Sequence, residues 1–198
     1  MDLRILVICT VMLASVSASA QVAGRAEDIS PLLIGEVIPD VLVKAPDGSE
    51  HSMLNILSRE PTVLLFYRGG WCPYCNSHLS EIRNVESEIL KLGYQIIAIS
   101  PDSPENLIVT SEKNELNYLL YSDADGTFMK AMGIAFDAPK RNMEKLLRYS
   151  DGANTGILPV PSVFVTDPKG LILFEYINPN YKTRMSAPLL IAVLQNLY

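Results

Sequence analysis

The pentapeptide Trp71-Cys72-Pro73-Tyr74-Cys75 separates two stretches of different period. Ahead of it, Thr62-Val63-Leu64-Leu65-Phe66 is a mostly apolar run of strand length, which predicts a buried strand. Behind it, Leu79, Ile82, Val85, Ile89 and Leu92 recur at spacings of three and four. That spacing predicts an amphipathic helix over 76–92, with Glu81, Arg83, Glu86, Glu88 and Lys91 mainly on the solvated side. A Cys-x-x-Cys at a strand-to-helix junction is first of all a redox site. Unpaired N–H groups and a partial positive charge at the helix start stabilise a thiolate there. Pro73 suits the first helical turn because it has no N–H to leave unpaired.

The chain has 198 residues, which fits one domain with small attachments, and 48% of them are hydrophobic, enough for a core. A net charge of -6 argues against a nucleic-acid partner, which needs a basic face. Residues 1–20 read as a signal peptide: Arg4, an apolar stretch from Ile5 to Val16, then Ala18-Ser19-Ala20 with cleavage expected after Ala20. The expected location is therefore periplasmic or extracellular, with no membrane span left after cleavage. Of three cysteines, Cys9 lies in the leader, so the mature chain keeps Cys72 and Cys75. In an oxidising compartment a Cys72–Cys75 disulfide can persist. A bridge across two residues removes little unfolded-state entropy, so the spacing favours catalysis over stapling.

Residues 21–34 read as an exposed lead-in, and 35–198 as one domain. Val37 to Lys44 predicts a strand, Asp47-Gly48 a hairpin turn, and Ser52 to Leu57 a short helix. Gly93 ends the long helix, and Tyr94 to Ser100 predicts a strand parallel to the first. Ser103-Pro104 opens another helix, followed by a strand over 118–121 and a short helix near 128–132. Asp123 and Asp125 read as caps of that short helix. Residues 142–149 predict a helix whose Lys140, Arg141, Lys145 and Arg148 form a solvated basic face. Asp167-Pro168-Lys169-Gly170 joins two strands in a late hairpin, and an apolar helix over 187–197 closes the chain. The expected architecture is α/β, a central mixed sheet covered on both faces.

With a Trp-Cys-x-x-Cys after the first buried strand, this layout resembles the thioredoxin fold, a three-layer α/β/α sandwich. More widely it resembles the peroxiredoxin-like branch of the alkyl-hydroperoxide-reductase and thiol-specific-antioxidant family. The matching pieces are Gly35 to Asp40, Asp47-Gly48, Phe66 to Cys75, Ser122-Asp123 and Val163 to Asp167. Peroxiredoxins carry Pro-x-x-x-Thr-x-x-Cys. Laid on that pattern, Arg68 stands for the Pro, Cys72 for the Thr and Cys75 for the peroxidatic Cys, while the family's distant Arg falls on Pro161. The thioredoxin pattern fits differently: Trp71, Cys72 and Cys75 match its active site, and Val160-Pro161 matches its cis-proline. That resemblance implies a backbone edge at Val160 that pairs with a substrate peptide. The buried Asp of thioredoxins has no counterpart in the apolar strand here. Pro73-Tyr74 is the dipeptide of glutaredoxins.

In the thioredoxin-like reading Cys72 attacks, Arg68 adds positive charge, Trp71 shields the sulfur and Cys75 resolves the mixed disulfide. The chain is then an exported thiol–disulfide oxidoreductase acting on protein thiols. The alternative is a thiol-dependent peroxidase in which Cys75 attacks peroxide and Cys72 condenses with the sulfenic acid. A second alternative is a non-catalytic binding module. Either enzyme needs an external redox partner for recycling and no bound cofactor. His78, three residues past Cys75, is either a proton or pKa tuner or an exposed helix residue. One Cys pair with His78 and His51 falls short of the usual zinc pattern, so no metal is expected. Tyr176 and Tyr181 read as packing residues, and Arg184 as a substitute for the family's distant arginine.

Overall fold

The computed structural model describes residues 22–197; the leader and its cleavage site lie outside the described residues. Nine strands and six α-helices follow one another as β1 (Leu42–Lys44), β2 (Glu50–Ser52), α1 (Met53–Leu57), β3 (Thr62–Phe66), α2 (Pro73–Lys91), β4 (Gln95–Ser100), α3 (Pro104–Asn114), β5 (Leu119–Ser122), α4 (Thr127–Ala131), β6 (Ala135–Asp137), α5 (Met143–Tyr149), β7 (Ile157–Pro159), β8 (Ser162–Thr166), β9 (Ile172–Ile177) and α6 (Ala187–Leu194). Seven strands form the main sheet in the order β2-β1-β5-β4-β3-β8-β9. The β3–β4 and β4–β5 pairs are parallel, and β8 and β9 add antiparallel partners on the other side. Among the described residues no helix is long and apolar enough to cross a membrane.

Strand β3 lies inside the sheet between β4 and β8, and every residue in it is buried. Its alternation sends Val63 and Leu65 to one face and Leu64 and Phe66 to the other. On the first face they meet Leu79, Ile82 and Ile89 of α2 and Leu190 and Leu194 of α6. On the second they meet Phe128 and Met129 of α4 and Met53 and Ile56 of α1. Each such side chain, fully buried, contributes roughly 1.5–3 kcal/mol. Ile82 has no exposed surface, so Ile82→Ala would cost about 2–5 kcal/mol and loosen α2 from the sheet. Of the three-and-four spacing, Leu79, Ile82 and Ile89 are buried and Val85 and Leu92 partly so, while Cys75 and His78 bury as well.

Three expectations change. The strand expected over 37–44 is only β1; Val37 forms a lone bridge to Leu171 instead. The lead-in is not merely exposed: Ala23 N donates to Ala135 O, Leu32 N to Met132 O, and Val22, Ile29 and Leu32 pack on the second core. A small second sheet, β6 with β7, was not anticipated; Phe136 and Leu158 pair within it. Three-residue strands carry too few alternations to register as a pattern.

The Val160–Pro161 bond is trans, as are all peptide bonds among the described residues, against the expected cis-proline. Residues 160 and 161 link β7 directly to β8. Val160 N donates to Ile134 O at 2.8 Å, Val160 O accepts from Ser162 Oγ at 2.8 Å, and Pro161 O accepts from Asn178 N at 3.4 Å. The chain thus occupies its own edge where a substrate peptide was expected.

Candidate active site

The corner between β3 and α2 is built by close approach of backbone to neighbouring side chains. Tyr67 N carries the ladder one residue past β3 by donating to Ile99 O. Gly69 then takes φ 125°, a region that disfavours any Cβ. A Cβ there would lie 2.5 Å from Trp71 Nε1 and 2.6 Å from Asp102 Oδ1, and one on Gly70 would overlap Thr110 Oγ1. Gly70 N donates to Asp102 Oδ2 at 2.7 Å, and Gly70 O accepts from Asn76 Nδ2 at 2.9 Å. Cys72 N closes the turn on Gly69 O at 3.0 Å. Cys72 is the N-cap of α2, Pro73 the first helical residue, and Cys72 O accepts from both Cys75 N and Asn76 N. The helix therefore begins three residues earlier than its apolar spacing indicates, because Pro73 and the cap set its start.

Cys72 and Cys75 are free thiols, both buried, one turn apart. Their sulfurs share a hydrogen bond, and this lowers Cys72 to about 6, with help from the charges of Arg68 and Arg184. Burial pushes Cys75 well up, and the hydrogen bond to Cys72 adds to the rise. At neutral pH the pair thus holds one proton, with the charge on Cys72 and the proton on Cys75. Arg184 Nη2 lies 3.4 Å from Cys75 Sγ, across 109 residues of sequence.

Helix α2 also fixes that arginine. Glu81 Oε1 accepts from Ala187 N at 2.7 Å, and His78 Nε2 donates to Met185 O at 3.0 Å. Those two contacts clamp the residues on either side of Ser186, next to Arg184. His78 is buried, not exposed, and burial followed by the charge of Arg184 lowers its pKa to about 4. It stays neutral at pH 7 with Nε2 engaged, so it anchors the loop rather than tuning a cysteine. The structure thus corrects the reading of this residue as an exposed helix position.

Aromatic rings line the mouth. Arg68 Cζ stands 4.2 Å from the Tyr181 ring centroid and 5.2 Å from that of Trp71. Tyr74, 41% exposed, packs edge-on against Tyr181 at 5.7 Å. Lys145 Nζ sits 5.5 Å over Trp71 while Lys140, Arg141, Lys145 and Arg148 are all exposed, as a solvated basic face should be. Trp71 also packs on the cluster of Phe136, Leu146, Leu158 and Val160, which brings Val160 into the wall of the site. Tyr181 joins the site, whereas Tyr176 packs on the core below it.

Asp102 went unnoticed in the sequence. It is fully buried just past β4, accepts from Gly70 N and from Ser100 Oγ at 3.0 Å, and leaves Oδ1 without a partner. Burial raises its pKa to about 7, against the pull of those two donors, and the charge of Cys72 raises it further. Strand β3 lacks a buried acid, and the neighbouring strand supplies one. Its flanking prolines, Pro101 and Pro104, mark a rigid corner and were the available signal.

Comparison with known proteins agrees with this layout. The family model described as AhpC/TSA matches residues 34–174. Peroxiredoxin Bcp of Escherichia coli (strain K12) is 27% identical over 106 residues, 54% of this chain and 67% of that protein. The chloroplastic peroxiredoxin Q of Triticum aestivum is 26% identical over 163 residues, 82% of this chain and 67% of the relative. Among solved structures, reduced Prx3 of Vibrio vulnificus in complex with H2O2 superposes with a TM-score of 0.72 at 18% identity, covering 83% of this chain and 97% of the other. Peroxidoxin BcpB of Mycobacterium tuberculosis gives a TM-score of 0.65 at 21% identity, covering 82% and 96%.

Proposed function

The chain belongs to the AhpC/TSA family of redox enzymes on a thioredoxin-like fold, and we propose that it is a thiol-dependent peroxidase with Cys75 as the attacking sulfur. The observation that carries this reading is the guanidinium of Arg184 at 3.4 Å from Cys75 Sγ. It puts a cation on the sulfur that falls in the family's peroxidatic position, although Pro161 holds the usual arginine's place in sequence. The relatives named above as peroxiredoxins support the same chemistry. The occupied backbone edge at Val160 speaks against docking of a protein disulfide, and so against thiol–disulfide exchange as the main activity.

The shared proton gives the step a route. Cys75 sulfur attacks the terminal peroxide oxygen while its proton passes to the Cys72 thiolate. The O–O bond breaks, and the leaving oxygen takes that proton from Cys72. Hydrogen peroxide thus yields one water, a sulfenic acid on Cys75 and a restored Cys72 thiolate. Arg184 stabilises the charge that develops between sulfur and oxygen. Cys72 then attacks Cys75 sulfur, hydroxide leaves and is protonated by solvent, and the disulfide forms. An external dithiol of thioredoxin type returns the pair to the reduced state.

Single-cysteine variants test the order of attack. Cys72→Ser removes the base and slows attack, yet each molecule still reduces one peroxide and keeps a dimedone-reactive sulfenic acid on Cys75; Cys75→Ser consumes no peroxide. The opposite pattern, with sulfenic acid on Cys72, would return the chain to the thioredoxin-like order. We also assign it to the periplasmic or extracellular space from its leader. Amino-terminal sequencing of exported protein should then begin at Gln21, and retention in the cytoplasm would refute the assignment.

A further inference from the structure

Positive charge beside the sulfurs exceeds what one thiolate balances. Arg184 spends Nη2 on Cys75 and Nη1 on Thr183 O, and its Nε has no acceptor. Arg68 is 4% exposed, lies against Tyr181 and Trp71, and its Nε also has no acceptor. Lys145 adds an ammonium over Trp71. The three ion pairs among the described residues, Arg25–Asp28, Lys44–Glu50 and Arg83–Glu115, involve none of these groups. Asp102 pairs with none of them: among the described residues its partners are Gly70 N and Ser100 Oγ, and no ion pair joins it to Arg68, Arg184 or Lys145. A buried guanidinium without a counter-charge is disfavoured, and stacking on rings offsets only part of that cost.

We infer that the surplus charge is the recognition site for an anionic group on the oxidant: the substrate is an organic hydroperoxide bearing a carboxylate. Arg68 holds the carboxylate, and the rings of Trp71, Tyr74 and Tyr181 take the apolar body. The planar guanidinium offers paired donors that fit a carboxylate. The exposed edge of Tyr74 opens this wall to solvent. Cys75 takes the terminal oxygen, the alkoxide leaves with the proton from Cys72, and the products are an alcohol and the Cys75 sulfenic acid. This assignment rests on the peroxidase reading and names its substrate class.

A matched pair of probes isolates the charge: 4-carboxycumene hydroperoxide and its methyl ester, with dithiothreitol as reductant. The acid is turned over with a kcat/KM about tenfold above the ester's, as one charge-assisted contact provides, and added salt shrinks the ratio. Arg68→Gln brings the ratio to about one, while the loss of its charge beside Cys72 slows acid, ester and hydrogen peroxide alike without abolishing turnover; Lys145→Gln reduces the ratio less. Independently of turnover, benzoate slows alkylation of Cys72 by iodoacetamide in the wild-type protein and benzyl alcohol does not. Equal kcat/KM for acid and ester, a ratio that survives Arg68→Gln, or no protection by benzoate overturns the assignment and leaves the peroxidase reading standing. Failure to consume any of the three peroxides overturns both.

Discussion

Two aspartates sit at the ends of neighbouring parallel strands, both buried, both raised to about 7 by burial, yet they serve different ends. Asp123, past β5, spends Oδ1 on Phe128 N and Oδ2 on Met129 N, both at 2.8 Å. Its bonds close on the first turn of α4, five and six residues away, and no polar atom is left over. Asp102, past β4, reaches 32 residues back to Gly70 and keeps one oxygen unpartnered beside Trp71 Nε1, another atom without a partner. A satisfied buried carboxylate stabilises a fold; one left partly unsatisfied next to a thiolate marks a site. Depth and pKa are the same in both, so only the bonding separates the cap from the redox corner.

Asp123→Ala tests the structural half and carries the larger effect. Two buried N–H groups lose their acceptors, which costs about 2–4 kcal/mol in chemical denaturation. Turnover per folded molecule stays unchanged; a matching loss of peroxidase activity would erase the contrast. The pH dependence of stability follows from the same residue. Its folded pKa lies above the unfolded value, so its contribution is complete below about pH 4 and is lost as pH rises through about 7. Asp102 acts with the same sign, and His78, lowered to about 4, acts with the opposite sign as pH falls below its unfolded value of 6.5. Asp123→Ala therefore flattens the decline in stability between pH 4 and 7.

Asp102→Asn sharpens the other half with a smaller effect. The amide oxygen still accepts from Gly70 N, so stability changes by less than about 1 kcal/mol. Cys72 alkylation in the parent protein rises with pH around a midpoint of about 6. Removing the ionisable neighbour moves that midpoint down, because the thiolate no longer shares its surroundings with a carboxylate. An unmoved midpoint would make Asp102 a second cap.

The difference between these aspartates also shows how far the sequence could be read. Asp123 and Asp125 were legible as caps because the N–H groups that donate to them lie within six residues. The long helix and the central strand were legible because the period of burial is written in consecutive residues, from Leu79 to Leu92 and from Val63 to Phe66. Cys72 and Cys75 were legible as a pair for the same reason. Asp102, Tyr181 and the firm placement of Arg184 were not, since each joins the site by tertiary contact over 32 to 113 residues of chain. Pro161 misled in the opposite direction: a matching residue at a matching place implied a local geometry that the bonds at Val160 and Asn178 replace.

The contacts of His78 and Glu81 with Met185 and Ala187 have one more consequence. The guanidinium beside Cys75 is delivered by the loop that leads into α6, and α6 docks through Leu190 and Leu194 on the core that α2 helps form. Detachment of that last helix would withdraw the cation before the sheet itself came apart. Catalytic competence thus reports on the integrity of the carboxyl-terminal end, and a molecule clipped or frayed there falls silent while still folded.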